Sequence, residues 1–329
     1  MLKKLSLIFC TFLLLLVTFS LNAFYQNYTA ITTFKNHVIR ERKLTTEVVH
    51  HYLHGSPNQK ENARNLIITT SLKNLNYEKW IDYREYIDLQ IYIGDVMPNN
   101  GEELIVVLNL SKDLAAITIY SPVNQEFVFV HSLENLLPVE KIELFEIPAL
   151  GYYTLNVFQI LDERLGAYIL ERFVESYTFM NEKWHSIWKK TIYMEEIYNQ
   201  QWINPQANAN QWIKIIENND IRFLPKPIPE IHVTVNRSKL TALKNQFPLP
   251  EDFHLEESTK THETYYWSSK YHRYIQKEGI LKECATPIAI IEDLEAGLEA
   301  YLGFAAKHYK ITYLDGRIDF IKKESLLSE

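Results

Sequence analysis

Cysteine is nearly missing. The 329 residues hold two, Cys10 and Cys284. Cys10 sits inside an apolar run, so Cys284 is alone in the remainder and no disulfide can staple a fold there. Small secreted domains rely on such staples, whereas a chain this long buries enough surface without them. That shortage suits a bacterial envelope protein better than a eukaryotic secreted one, and the sequons at Asn27, Asn109 and Asn236 then read as chance matches. No cysteine follows the apolar run at a lipobox position, which argues against lipoprotein processing. Glycine is also scarce, at nine, which argues against glycine-rich solenoids. An excess of positive charge is absent: 34 Lys and Arg face 41 Asp and Glu, a net charge of −7. An acidic surface opposes phosphate backbones, so nucleic acid is not an expected partner. Finally, there is no Gly-x-Ser-x-Gly, no phosphate-cradling glycine loop, no dinucleotide fingerprint and no His-Glu-x-x-His. No stretch of the chain names a reaction.

One long hydrophobic run is present. Met1-Leu2-Lys3-Lys4 leads into Leu5 to Phe24, which holds no charge, and the next charged residue is Lys35. A helix of that length covers about 30 Å, the thickness of a bilayer's hydrocarbon core. The two lysines keep the short end in the cytoplasm and send the rest across. Residues 1–24 are therefore expected to be a membrane anchor. A cleaved signal peptide is the alternative, although Leu21 is large for a cleavage site at Ala23.

Beyond the run, Ile31, Phe34, Val38, Leu44, Val48 and Tyr52 recur at helical spacing. They predict a helical stalk or cap over 25–57, stopped by Gly55-Ser56-Pro57. Residues 58–224 read as an antiparallel β domain. Its strands are predicted at Tyr86–Ile93, Leu104–Leu108, Ala115–Tyr120 and Phe127–His131, then at Ile142–Glu146, Thr154–Leu161, Tyr168–Thr178 and Trp184–Tyr193. Asn204–Asn210 reads as a loop. Three prolines in Leu224–Pro229 suggest a stiff boundary. Residues 225–329 then form a smaller α+β or continuing β domain. It has a strand at Ile231–Val235, helices from Ser238 to Gln246 and from Ser268 to Glu278, and strands at Pro287–Ile291, Lys307–Tyr313 and Ile318–Lys322. The fold class expected is mainly β, antiparallel meanders with added helices, α+β overall. An internal echo links Ile160–Lys190 to Ile290–Lys323: strand, acidic pair, small residues, hairpin. Duplication of one unit would produce it.

The stretch Gly94-Asp95-Val96-Met97-Pro98-Asn99-Asn100-Gly101-Glu102-Glu103-Leu104 places oxygen-bearing residues at alternate positions before an apolar strand. It resembles one blade of the FG-GAP and VCBS type β-propeller repeats. That resemblance covers about 15 residues and implies a blade-like hairpin, with a degenerate β-propeller as the alternative architecture. It also implies Asp95, Asn99 and Glu103 as calcium ligands, since calcium takes hard oxygens. Met97 stands where a second acidic ligand belongs and is a poor one. The opposing reading is a plain hairpin turn and no cofactor.

Other chemistry-bearing groups are sparse. His50 and His54 share a helix face, as zinc ligands do, but no further ligand is signalled. Tyr265-Tyr266-Trp267, Tyr271 and Tyr274 could stack on a sugar or a partner, or could pack a core. Asp162-Glu163 and Glu292-Asp293 could be glycosidase carboxylates, but neighbours along a strand point to opposite faces. The expectation is an extracytoplasmic, membrane-anchored binding or scaffold protein of a bacterial envelope, with an envelope protein or glycan as partner. A hydrolase of cell-wall or extracellular polysaccharide is the alternative.

Overall fold

The computed structural model describes residues 43–99, 101–165, 168–294 and 307–327. The expected anchor at 1–24, most of the expected stalk, and Ala300 to Gly303 of the internal echo lie outside the described residues. No helix among the described residues is long and apolar enough to cross a membrane.

The fold is mainly β, and its sheets are antiparallel. Strands β1 (Lys43–Thr45), β2 (Asp88–Gly94), β3 (Glu103–Ser111), β4 (Leu114–Val123) and β5 (Glu126–Leu136) form a sheet in the order β1-β5-β4-β3-β2. Strands β6 (Val139–Glu146), β7 (Tyr153–Asp162), β8 (Ile169–Met180), β9 (Lys183–Asn199), β10 (Gln211–Leu224), β11 (Glu230–Leu243), β12 (His254–Ser268) and β13 (Arg273–Ile275) form an eight-stranded meander. Strands β14 (Lys277–Ile280), β15 (Pro287–Asp293), β16 (His308–Thr312) and β17 (Ile318–Lys322) form a third meander. The eight strands pair in sequence order from β6 to β13, with register shifts at Val139/Lys141, Arg172/Phe173, Ser176/Tyr177 and Lys239/Leu240. The blades of a propeller would need a break in that pairing after every fourth strand.

The chain divides into two compact units. Among the described residues, the first comprises 43–85 and 118–131. Its helix α1 (Thr46–His54) begins at Thr45, whose hydroxyl accepts from Val48 N at 3.3 Å. The helix expected over 25–57 is thus corrected at residues 43–45, which pair with Val128 to Glu126 as strand β1. A second helix, α2 (Pro57–Asn74), was not foreseen. Gly55-Ser56-Pro57 ends one helix and also starts the next: Pro57 takes the first helical position, and Gln59 accepts from Ser56 N at 2.9 Å. α2 buries Ala63, Ile67, Ile68, Ser71 and Leu72 along one side. Tyr120 is anchored there by Ser71 Oγ at 2.8 Å and Asn74 Nδ2 at 3.0 Å, and burial holds its hydroxyl above the usual tyrosine range.

The second unit comprises the described residues within 86–117 and 132–327. Three expectations are corrected here. The prolines of Leu224–Pro229 make a hairpin rather than a domain boundary, because β10 and β11 pair from Gln211↔Leu243 to Leu224↔Glu230. Ser238 starts no helix; it pairs with Ile216 and Ser258 inside the sheet. Ser268 starts no helix either, since β13 and β14 occupy that segment. The hairpin at Asp315-Gly316 is as expected, with Gly316 at φ +83°. Of the internal echo, the described parts are the meanders β7-β8-β9 and β15-β16-β17.

The core of this unit lies on one face of the large sheet. Ile231, Val233 and Val235 of β11, Tyr265 and Trp267 of β12, and Trp188 of β9 pack together, with Phe145 and Phe223 against them. Alternation explains the set: every second residue of a strand faces the same side.

Candidate functional site

The Gly94–Leu104 loop is built around a buried carboxylate. Glu103 is fully buried and its Oε2 accepts from Val96 N at 3.0 Å. Asp95 gives its backbone oxygen to Tyr153 N at 2.8 Å, and its Oδ1 is buried without a hydrogen-bond partner. Met97 is buried and acts as an apolar plug, while Asn99 is exposed. Among the described residues no group of three His, Cys, Asp or Glu side chains is placed to hold a metal ion. That statement also covers His50 and His54, whose rings lie 5.1 Å apart and tilted by 59° near the end of α1.

The aromatic cluster is core rather than platform. Tyr265, Trp267, Tyr271 and Tyr274 are all buried. Tyr265 donates to Glu263 at 2.7 Å, and Glu263 is paired with Lys190 at 2.7 Å. Burial, and then the Glu263 charge, push the Tyr265 hydroxyl far up, so it stays a donor.

The acidic pairs are each neutralised locally. Arg164 holds Asp162 at 2.5 Å and brings its carboxyl down to about 2, chiefly through that hydrogen bond. Glu163 meets Lys112 at 3.4 Å, Glu292 meets Lys310 at 3.8 Å, and Asp293 meets Lys323 at 2.6 Å. A further paired set lies on β9 and β10, where Glu195 bonds Lys214 at 3.0 Å and Tyr193 at 2.8 Å. Burial opposes the Glu195 charge, but these two partners outweigh it and its carboxyl is lowered. Burial together with Glu195 pushes the Tyr193 hydroxyl up to about 12.

Sequence reasoning missed two features. The first is a polar belt inside the large sheet. Glu217 and Arg237 are both buried and meet at 2.6 Å, and Asn219 donates to the same carboxylate at 2.6 Å and to Thr191 O at 2.8 Å. The second is an open cavity of about 850 Å³ beside β14. Four lysines line it, Lys270, Lys277, Lys282 and Lys323, against two glutamates, Glu278 and Glu324. Glu278 is taken up by Lys270 at 2.5 Å, and Lys282 donates to the backbone oxygen of Glu324 at 2.6 Å. The Lys277 and Lys323 ammonium groups lie 5.3 and 4.9 Å from the centre of the Tyr309 ring. Ile280, Leu326 and Leu327 supply an apolar wall, closed beneath by the bridge between Leu281 and Leu326. Lys270 is neutralised by Glu278 and Lys323 by Asp293, so Lys277 and Lys282 carry the positive charge that this concave surface offers to an anionic group, while its apolar wall takes the faces of a ligand. The lysines were visible in the sequence. Their convergence was not, because it needs β14, β16 and the residues after β17 side by side.

No family model matches the sequence, and no curated protein matches it significantly.

Proposed function

We propose that this chain is a membrane-anchored, extracytoplasmic binding protein of a bacterial envelope, and that the lysine-lined cavity recognises an acidic envelope glycan. The observation that carries the binding reading is that cavity, with four lysines around an apolar wall. The anchoring reading rests on Leu5 to Phe24, uncharged and preceded by Lys3 and Lys4. Residues 1–24 cross the membrane, and the folded part stands outside it. A cleaved signal, releasing the same folded part, is the alternative for that segment.

Lys277 is the most direct handle, because it is exposed and its ammonium lies over the Tyr309 ring. The full chain in detergent should bind an anionic cell-wall polymer more tightly than a neutral polysaccharide of similar size. Lys277→Glu with Lys282→Glu should weaken that binding at least tenfold, since like charges then face each other (about 1.4 kcal/mol per factor of ten). Equal binding of both polymers, or no loss in the double variant, would overturn the glycan reading.

A further inference from the structure

A second, smaller cavity has a different character. It holds about 100 Å³ and is a partly open recess lined by Ser186 to Lys189 of β9, Arg273 and Tyr274 of β13, and residues of β15, β16 and β17. At ~30 Å³ per water, that is space for roughly three waters or one small polyatomic ion. It shares no lining residue with the lysine cavity.

Three residues of its lining, Trp188, Arg273 and Tyr274, carry unmet polar atoms. Trp188 is 6 % exposed and Tyr274 2 % exposed, and the Trp188 Nε1 and Tyr274 hydroxyl are buried without hydrogen-bond partners. Arg273 donates from Nη2 to Ser186 O at 2.9 Å, but its Nη1 is buried and unmatched. Buried polar groups are nearly always satisfied, so three together call for an explanation. Their chemistry is of one kind. A guanidinium and an indole only donate, and a phenol readily does. What completes them must accept several hydrogen bonds at once.

Charge narrows the choice. Arg273 forms no ion pair among the described residues. Burial lowers its pKa, and no carboxylate offsets that cost. The single acid in the lining, Glu292, faces Lys310 at 3.8 Å. Lys189, the other lysine of the lining, lies over the Phe173 ring at 3.9 Å. A cation taken out of water without a counter-charge is costly, and a hydrogen-bonding anion removes that cost where water alone does not. We infer that this cavity is a binding site for a small oxyanion, a carboxylate or phosphate group, held by Arg273, Trp188 and Tyr274. This site does not rest on the glycan reading.

The test is calorimetric titration of the full chain in detergent with inorganic phosphate and, separately, with acetate, at ionic strength held constant by chloride. Saturable binding of one or both is expected. Arg273→Met, which keeps the aliphatic stem, should weaken it at least tenfold. Trp188→Phe, which keeps the ring in the core and removes only the N–H donor, should weaken it severalfold, and it decides the matter if the arginine variant does not fold. Preference for acetate assigns a carboxylate ligand, and preference for phosphate a phosphoryl one. Saturable binding of neither ion would mean the cavity holds water only and would overturn the site. Binding unchanged in Trp188→Phe would do the same.

Discussion

Single residues set the terms for the helices and the sheet edges. Gly55 closes α1, its N–H donating to His51 O at 2.9 Å. A Cβ there would lie 2.4 Å from that same oxygen, which is backbone and cannot swing away. Gly55→Ala should therefore cost about 1–3 kcal/mol, the range for forced overpacking, read as a lowered thermal midpoint. Glu196 poses a different problem. Burial raises its carboxyl, so the folded chain holds that proton more tightly than the unfolded one. This contribution is complete below the unfolded carboxyl's range and is lost as pH rises through the folded value. Glu196→Gln should raise the thermal midpoint at pH 7, and the gain should shrink as pH falls toward 4. A constant difference across that range would show that burial of charge is not the cause.

Among the elements, the polar belt explains both the stability expected of the large sheet and its partial illegibility. The inward face of β10 reads Ile213, Ile215, Glu217, Asn219, Ile221, Phe223, and that of β11 reads Ile231, Val233, Val235, Arg237. Charge in the middle of an inward face breaks the alternation by which a strand is recognised. The Asn218-Asn219-Asp220 run also reads as a turn. So β10 passed unnoticed, and Ser238 beyond Arg237 looked like a helix cap. Strands with clean apolar faces, such as β3 and β4, were legible, as was Ile318–Lys322 after its Asp-Gly turn. The belt has a measurable cost if broken. Arg237→Met leaves Glu217 buried against Asn219 alone and should destabilise by about 3–5 kcal/mol in denaturant unfolding. Adding Glu217→Met should recover most of that loss. If the double variant is as unstable as the sum of the singles, the pair is not coupled.

On the scale of the whole molecule, the proposed placement and the proposed binding surface rest on different kinds of feature. The uncharged run from Leu5 to Phe24 is continuous in the sequence, and the proposed membrane placement rests on it alone. The lysine cavity assembles from segments about 50 residues apart, and nothing local marks it. Cys284 links the two questions. It is exposed in the loop between β14 and β15, with Thr286 Oγ1 at 2.9 Å from its sulfur. In a Cys10→Ser background it is the one thiol in the chain. The decisive measurement is labelling of that variant by a membrane-impermeant maleimide in intact bacterial protoplasts. An external folded part bearing an uncut anchor predicts modification before lysis, on a chain that sediments with membranes. Modification only after lysis would place Cys284 inside and contradict the account.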